Sequence, residues 1–332
     1  MSTSTPPSPL KITQRLIDGF GSAALLAALQ LEVFTALAIA PLEIEQLAAA
    51  LGVPARRLAP LLDVLVVLGF LRREGAAFAN EADADYYLVR DKPTYFGGVH
   101  ELYADIYPAV LRTADSIRAD RPLAEHDFAT MSDDALTAFY RGLHGMGVMQ
   151  GRLLATRFDF ARATRLIDVG GGSGPIAIGA CLTAPALRAS VVELERVAPI
   201  ARRFIAEAGL SGRIDAIAGD ITQQPAGAGF DIAILRSLIQ VLGESQAAAA
   251  LINTARSLRP GGEIYILGYV LDDDRTAPRE AALFEIAFLN MYWEGRSYTE
   301  AQYRHWLGDA GFTQFERSML PNSMSLISAR LA

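Results

Sequence analysis

Cysteine is almost missing from the 332 residues: Cys181 stands alone, so no internal disulfide and no cysteine-rich metal site can be built. Histidine is scarce as well, with four scattered residues and no ligand-like spacing. No apolar run reaches the roughly 18–20 residues that a membrane span requires. The runs "AALLAAL" and "LLDVLVVLGFL" are shorter, and they are amphipathic or interrupted by charge. Positive charge is in deficit: 30 basic against 37 acidic side chains leave a net charge of -7, which argues against broad electrostatic binding of nucleic acid. The leading "MSTSTPPSPL" has no basic segment followed by an apolar one, so residues 1–10 read as a disordered lead and the cytoplasm is the expected location. What is left, 51% apolar and 20% charged residues, suits a globular chain of two domains with a substantial core.

Two grammars meet near residue 160. Before it the pattern is helical, with expected helices at Lys11 to Leu37, Tyr95 to Arg118 and Asp133 to Phe158. The stretch from Pro41 to Glu81 predicts helices over Ile44–Leu51 and Ala55–Leu68 and a hairpin around Gly75, the order of a winged helix-turn-helix. Its second helix offers only Arg56 and Arg57 before turning apolar at Leu58, Leu61, Leu62, Val64, Leu65 and Val66, which fits packing against protein better than a DNA groove. From residue 161 to 332 strands and helices alternate, which predicts an α/β fold: a mostly parallel, Rossmann-like sheet ending in an antiparallel hairpin across Pro321-Asn322.

In such a sheet, ligands bind at the carboxyl ends of the strands. There "RLIDVGGGSGP", Arg165 to Pro175, combines an apolar strand, one carboxylate and four glycines. A dinucleotide fingerprint needs glycine or alanine where Pro175 stands, and no Gly-Lys-Ser/Thr follows to make a phosphate loop. The remaining reading is an adenosine-type ligand without a pyrophosphate. Glu193, ending the second strand, can accept from both ribose hydroxyls; Asp220, after the third, can accept from an exocyclic amine; Asp168 adds negative potential. Carboxylates without a compensating base favour a sulfonium, S-adenosylmethionine.

The ordered set "LIDVGGGSG", "VVELERV", "AGDI", "FDIAILRSLIQVLGE" and "LRPGGEIYILG" resembles the class I S-adenosylmethionine-dependent methyltransferases, more narrowly the plant-type small-molecule O-methyltransferases and their bacterial secondary-metabolism members. The resemblance spans nearly the whole chain. It implies that residues 11–160 form a winged-helix dimerisation and substrate-capping domain, that the protein is a homodimer, and that the spent cofactor is S-adenosylhomocysteine. It further implies that Gly170, Gly172 and Gly174 approach the methionine moiety, Glu193 the ribose, Asp220 and Ile221 the adenine, and Arg236 the cofactor carboxylate. A substrate wall for a flat, aromatic molecule is expected from Phe139, His144, Met146 and Met149 on one helix and Asn290, Met291, Tyr292 and Trp293 on another.

The chain departs from the family at the base. Where the family has histidine, usually followed by aspartate, this sequence has Gln240-Val241, and Gly268 and Ser297 fall where acidic partners are expected. A glutamine amide orients a substrate but cannot deprotonate it. Four accounts stay open. Alignment alone suffices for an easily ionised oxygen, an amine or an enolic carbon; or His144 replaces the base, with His100 behind it, His126 in a polar loop and His305 on a surface helix; or the fold runs a non-methylating reaction; or it is a binding protein. Loss of the His-Asp pair also removes the ligands a metal would use, so a metal-independent reaction is expected.

Overall fold

The computed structural model describes residues 7–92, 94–126, 128 and 130–332. Of the expected disordered lead, residues 1–6 lie outside the described residues, and a helix already opens at Leu10. The chain divides into two compact units, one ending at Ala104 and the other running from Asp105 to Ala332. The change of sequence grammar near residue 160 marks where strands begin to alternate with helices, not where the compact units part.

The first unit contains α1 (Leu10–Gln30), α2 (Val33–Ala36), β1 (Leu42–Glu43), α3 (Ile44–Leu51), α4 (Ala55–Val67), β2 (Leu71–Glu74), β3 (Ala77–Asn80) and α5 (Ala82–Leu88). The helical stretch expected to about Leu37 is interrupted after Gln30, where Glu32 takes a left-handed φ of 60°. Gly19 and Gly21 stay helical, and a Cβ on Gly21 would make only an ordinary contact, 3.4 Å, with Leu68 at the end of α4. On α4, Leu58, Leu62 and Leu65 are buried in the core. The strands order as β1-β3-β2, all antiparallel. The first half of α1 is uncovered: Leu16 and Phe20 are 73% and 72% exposed.

The helix α6 (Val99–Val110) is followed by α7 (Thr113–Ala119), so the single helix expected to Arg118 is two, and a long α8 (Asp133–Arg157) comes next. Ser132 caps α8 by accepting from Ala135 N–H, and Asp133 and Asp134 sit at the positive end of its dipole. Then come β4 (Arg165–Val169), α9 (Pro175–Thr183), β5 (Arg188–Glu193), α10 (Ala198–Glu207), β6 (Ile214–Ala218), β7 (Phe230–Arg236), α11 (Glu244–Ser257), β8 (Leu258–Gly268), α12 (Arg279–Met291), α13 (Glu300–Asp309), β9 (Phe312–Met319) and β10 (Ser325–Leu331). The seven strands order as β6-β5-β4-β7-β8-β10-β9, with β4 to β8 parallel and the last two antiparallel pairs formed by β10. β10 rather than β9 pairs with β8, and Leu320 to Met324 connect the two. Among the described residues no helix is long and apolar enough to cross a membrane.

Alternation along β4 decides where the site residues face. Leu166 joins the core on one side of the sheet and Ile167 and Val169 the core on the other, which turns Asp168 towards the side of α9. Against α9 lies α8, and the two approach backbone to backbone. A Cβ on Gly179 would fall 2.2 Å from Val148 O, and one on Gly151 would fall 2.3 Å from Ile176 O. No rotamer change relieves a clash with a carbonyl, so Gly179→Ala must push the helices apart, at about 2–3 kcal/mol for an overpacked core. The expected outcome is a melting temperature several degrees lower by calorimetry, together with weaker cofactor binding; an unchanged melting temperature would mean that the helices separate freely.

Candidate active site

The strand β4 ends in a loop that only glycine can make. Gly170, Gly172 and Gly174 have φ of 61°, 59° and 72°, in the left-handed region. A Cβ on Gly172 would lie 2.6 Å from the Tyr140 ring, so α8 leaves no room for any other residue. Gly174 then caps α9 and Pro175 fills its first turn, where no N–H is needed.

Around this loop are the carboxylates. Glu193, at the tip of β5, is buried; its Oε1 accepts from Gly172 N–H at 2.8 Å and its Oε2 from Leu194 N–H at 2.8 Å. Burial pushes its carboxyl up to about 7 despite these two bonds. Asp168 is completely buried and also pushed up to about 7 by burial; Oδ2 accepts from Ala177 N–H at 3.1 Å, while Oδ1 has no partner. Arg236 ends β7. Its Nε donates to Gln150 Oε1 at 2.5 Å, its Nη2 is sealed without a partner, and burial lowers it to about 10.

An orphaned carboxylate oxygen and an orphaned guanidinium nitrogen cost free energy unless a ligand completes them. They match the ammonium and carboxylate of an amino-acid moiety, and Glu193 stands beside Gly172 as an acceptor of charge-assisted hydrogen bonds. The adenine-side residues follow β6: Asp220 Oδ1 accepts from Thr222 N and Oγ1, at 2.9 and 2.7 Å, closing a turn. Ile221 is buried, and its carbonyl accepts from Asn253 Nδ2 at 2.8 Å. The donors and acceptors therefore fit S-adenosylmethionine.

His144 is drawn to the loop. Its Nδ1 lies 2.8 Å from Ser173 Oγ, its ring is 4.5 Å from that of Phe204, and burial, with a smaller push from Arg236, lowers it to about 4. It is neutral at neutral pH and a weak base. Gln240, in a 3-10 turn over Ile239–Val241, is buried and accepts from Tyr269 N–H at 3.0 Å through Oε1. Gly268 adjoins that amide; Ser297 is turned elsewhere, donating from Oγ to Ala281 O at 3.0 Å and from N–H to the Glu285 carboxylate.

The residues of the expected substrate wall have varied surroundings. The amide hydrogens of Asn290 go to Thr113 Oγ1 and Ile286 O, and its Oδ1 accepts from Ser116, so it ties α12 to α7. Met291 is buried, Met146 accepts from Asn322 Nδ2 at 3.5 Å beside the β9–β10 turn, and Met149 is half-buried. Trp293 is 62% exposed. Phe139 and Tyr292 do come together, but through a residue that was expected in a polar loop: His126 is buried, with ring centroids 5.5 Å from Phe139 and 6.3 Å from Tyr292. The aromatic series continues through Phe288 to Phe284, which stacks on Tyr269 at 3.8 Å. Gln150, Tyr140, Phe204 and His126 are the contributors that the sequence reading missed. A signal existed for two of them: Tyr140, Gly147 and Gly151 recur at helical spacing opposite the loop, and Gln150 neighbours the last. Among the described residues no three His, Cys, Asp or Glu side chains gather as a metal-ligand set.

A glycine-lined cradle at the tip of β4, acidic strand ends and this strand order define a methyltransferase of the S-adenosylmethionine-dependent kind. Residues 123–313 match the O-methyltransferase domain family and residues 14–90 the O-methyltransferase dimerisation domain family. The chain is 33% identical over 318 residues to 3-hydroxy-5-methyl-1-naphthoate 3-O-methyltransferase of Streptomyces sahachiroi, covering 93% of this chain and 92% of that one. It is 31% identical to the tetracenomycin polyketide synthesis 8-O-methyl transferase TcmO of Streptomyces glaucescens, covering 97% and 96%. Human N-acetylserotonin methyltransferase in complex with SAM superposes with a TM-score of 0.85 at 25% identity, over 100% of both chains. The protein belongs to the S-adenosylmethionine-dependent O-methyltransferases.

Asp168 and Glu193 retain protons that the unfolded chain would release, so the ligand-free protein loses stability as pH rises from their ordinary values, 3.8 and 4.5, to about 7. A cationic ligand favours their ionised forms. Affinity for S-adenosylmethionine should therefore rise about tenfold from about pH 6 to about pH 8, and affinity for the neutral sulfur of S-adenosylhomocysteine should rise less. Calorimetric titration checks this; Asp168→Asn with Glu193→Gln should flatten both profiles.

Proposed function

We propose that the protein methylates an oxygen of a small, flat aromatic natural-product intermediate, relying on alignment rather than on a histidine base. The observation that carries this is Gln240: at the place where the family supplies its histidine stands a buried amide whose oxygen is already bonded to Tyr269 N–H. An amide has no basic site to offer. The named relatives act on a hydroxynaphthoate and a polyketide, and the run of rings from Phe139 through His126, Tyr292 and Phe288 to Phe284 suits a planar ligand by edge and face contacts.

When bound, the cofactor supplies a methyl group made electrophilic by a positively charged sulfur. The chain's own residues do the rest. Gly170, Gly172 and Gly174 let backbone approach the ligand; Asp168, held by Ala177, and Arg236, held by Gln150, take its charged end; Glu193 takes the ribose hydroxyls; Asp220 and Ile221 flank the base. Phe139, Met146, Met149, Met291 and Tyr292 shape the acceptor side and exclude water. Holding two reactants in line is worth about 7–11 kcal/mol of barrier, so an acceptor that ionises readily needs no further base.

A second reading, with an imidazole taking the proton, is favoured by the burial of His126 among the rings. His144 serves it less well, since it is lowered to about 4 and faces Ser173. Mass spectrometry of the product decides first: a gain of one methyl group is expected, and conversion without that gain would put a non-methylating reaction in its place. A kcat loss of about a hundredfold in His126→Asn, against little loss in His144→Asn, would replace alignment with base catalysis.

The protein works as a homodimer in the cytoplasm. The dimerisation family matches residues 14–90 of the first unit, and along α1 Leu10, Ile12, Leu16, Ile17 and Phe20 are uncovered. Apolar surface of that extent calls for a second copy. Leu16→Glu with Phe20→Glu should turn a dimer into a monomer in analytical ultracentrifugation; a wild-type monomer at micromolar concentration would end the assignment.

A further inference from the structure

Gln240 and Gly268, two departures from the family pattern, meet in the structure. A Cβ on Gly268 would lie 2.8 Å from Gln240 Oε1. Only a glycine there leaves the amide oxygen free to reach Tyr269 N–H, 3.0 Å away. That bond also settles which way the amide points, because an N–H cannot donate to an NH2 group. The other end, Nε2, has no partner among the described residues. It is also absent from the sealed orphan atoms, so it borders open space although Gln240 is only 4% exposed. The hydroxyl of the fully buried Tyr303 would lie 3.9 Å from the same Cβ, an ordinary contact distance.

We propose that Gln240 is a one-sided hydrogen-bond donor that selects an acceptor oxygen arriving already ionised, an aryl oxide rather than a neutral phenol. Its oxygen already takes the Tyr269 N–H, and the end without a partner carries only donors, so on that side a phenolic O–H has nothing to donate to. Its two N–H groups can hold an oxygen anion, and a hydrogen bond to a charged acceptor is roughly twice as strong as one between neutral groups. The substrate class that follows is an aromatic whose hydroxyl is acidified by ring fusion or by an electron-withdrawing substituent. This inference rests on the methyl-transfer reading for the placement of Gln240 beside the acceptor, and it deepens that reading by fixing the charge state of the oxygen.

The test uses 4-nitro-1-naphthol, whose ionised form absorbs visibly, titrated with pH while bound to the full-length protein saturated with S-adenosylhomocysteine. In the wild-type protein the bound probe should ionise about one pH unit below its value in Gln240→Met, a tenfold preference for the anion. Gly268→Ala, which displaces the amide without removing it, should lose most of the same shift. Calorimetry with S-adenosylhomocysteine shows that both variants are folded. Equal ionisation in wild type and Gln240→Met, tighter binding of the neutral form by the wild type, or no binding of the probe would each overturn the proposal. The readout requires no turnover: a shift observed in a protein that methylates nothing would uphold this inference and end the methylation reading, whereas methylation without a shift would do the reverse.

Discussion

The contact on which the site depends is the backbone-to-backbone approach of α8 to α9. Helices separated by side chains lie roughly 8–10 Å apart, and bare backbone at the crossing brings them to the short end of that range. Gly151 and Gly179 each face a carbonyl of the other helix, at distances that exclude even a methyl group. The consequence is positional. α9 starts at the glycine loop, so whatever lies on the near face of α8 is pressed onto that loop: Tyr140 over Gly172, His144 beside Ser173, and Gln150 against Arg236. One small-residue crossing thereby connects a helix from before the alternating region to the tip of the first strand of the large sheet.

That compression produces an electrostatic arrangement which the protein alone does not complete. Two carboxyls are pushed up to about 7 and a guanidinium is lowered to about 10, all chiefly by burial. Each retains at least one hydrogen bond that fixes its orientation, and Asp168 and Arg236 each retain one atom without a partner. Groups held in this way cost stability in the free protein and recover it when a ligand of opposite charge arrives. Preorganisation of this kind also means that little reorganisation accompanies binding, which is where affinity is otherwise lost.

The same economy of motion applies to Gln240. Gln240 is held by a backbone N–H, and the missing side chain at Gly268 makes the hold possible. The two residues form one device, with a defined donor end. The rings of Phe139, His126, Tyr292, Phe288 and Phe284 give a wall made of edges and faces, stiff because each ring packs on the next.

The order of strands and helices, the glycine loop and the acidic strand ends were legible in the sequence because each rests on local chemistry: period-two and period-3.6 apolarity, left-handed φ that only glycine adopts freely, and a carboxylate at the end of a strand. Expectations that depended on partners far along the chain fared differently. Asn290 is tied to Thr113 and Ser116, more than 170 positions away, and His126, expected in a polar loop, is buried beside Phe139 and Tyr292. The sequence by itself determined which elements form and which ligand charge they favour; tertiary structure alone decided which atoms of Arg236, Asp168 and Gln240 remain free, because a hydrogen-bond partner 86 residues away leaves no periodic trace.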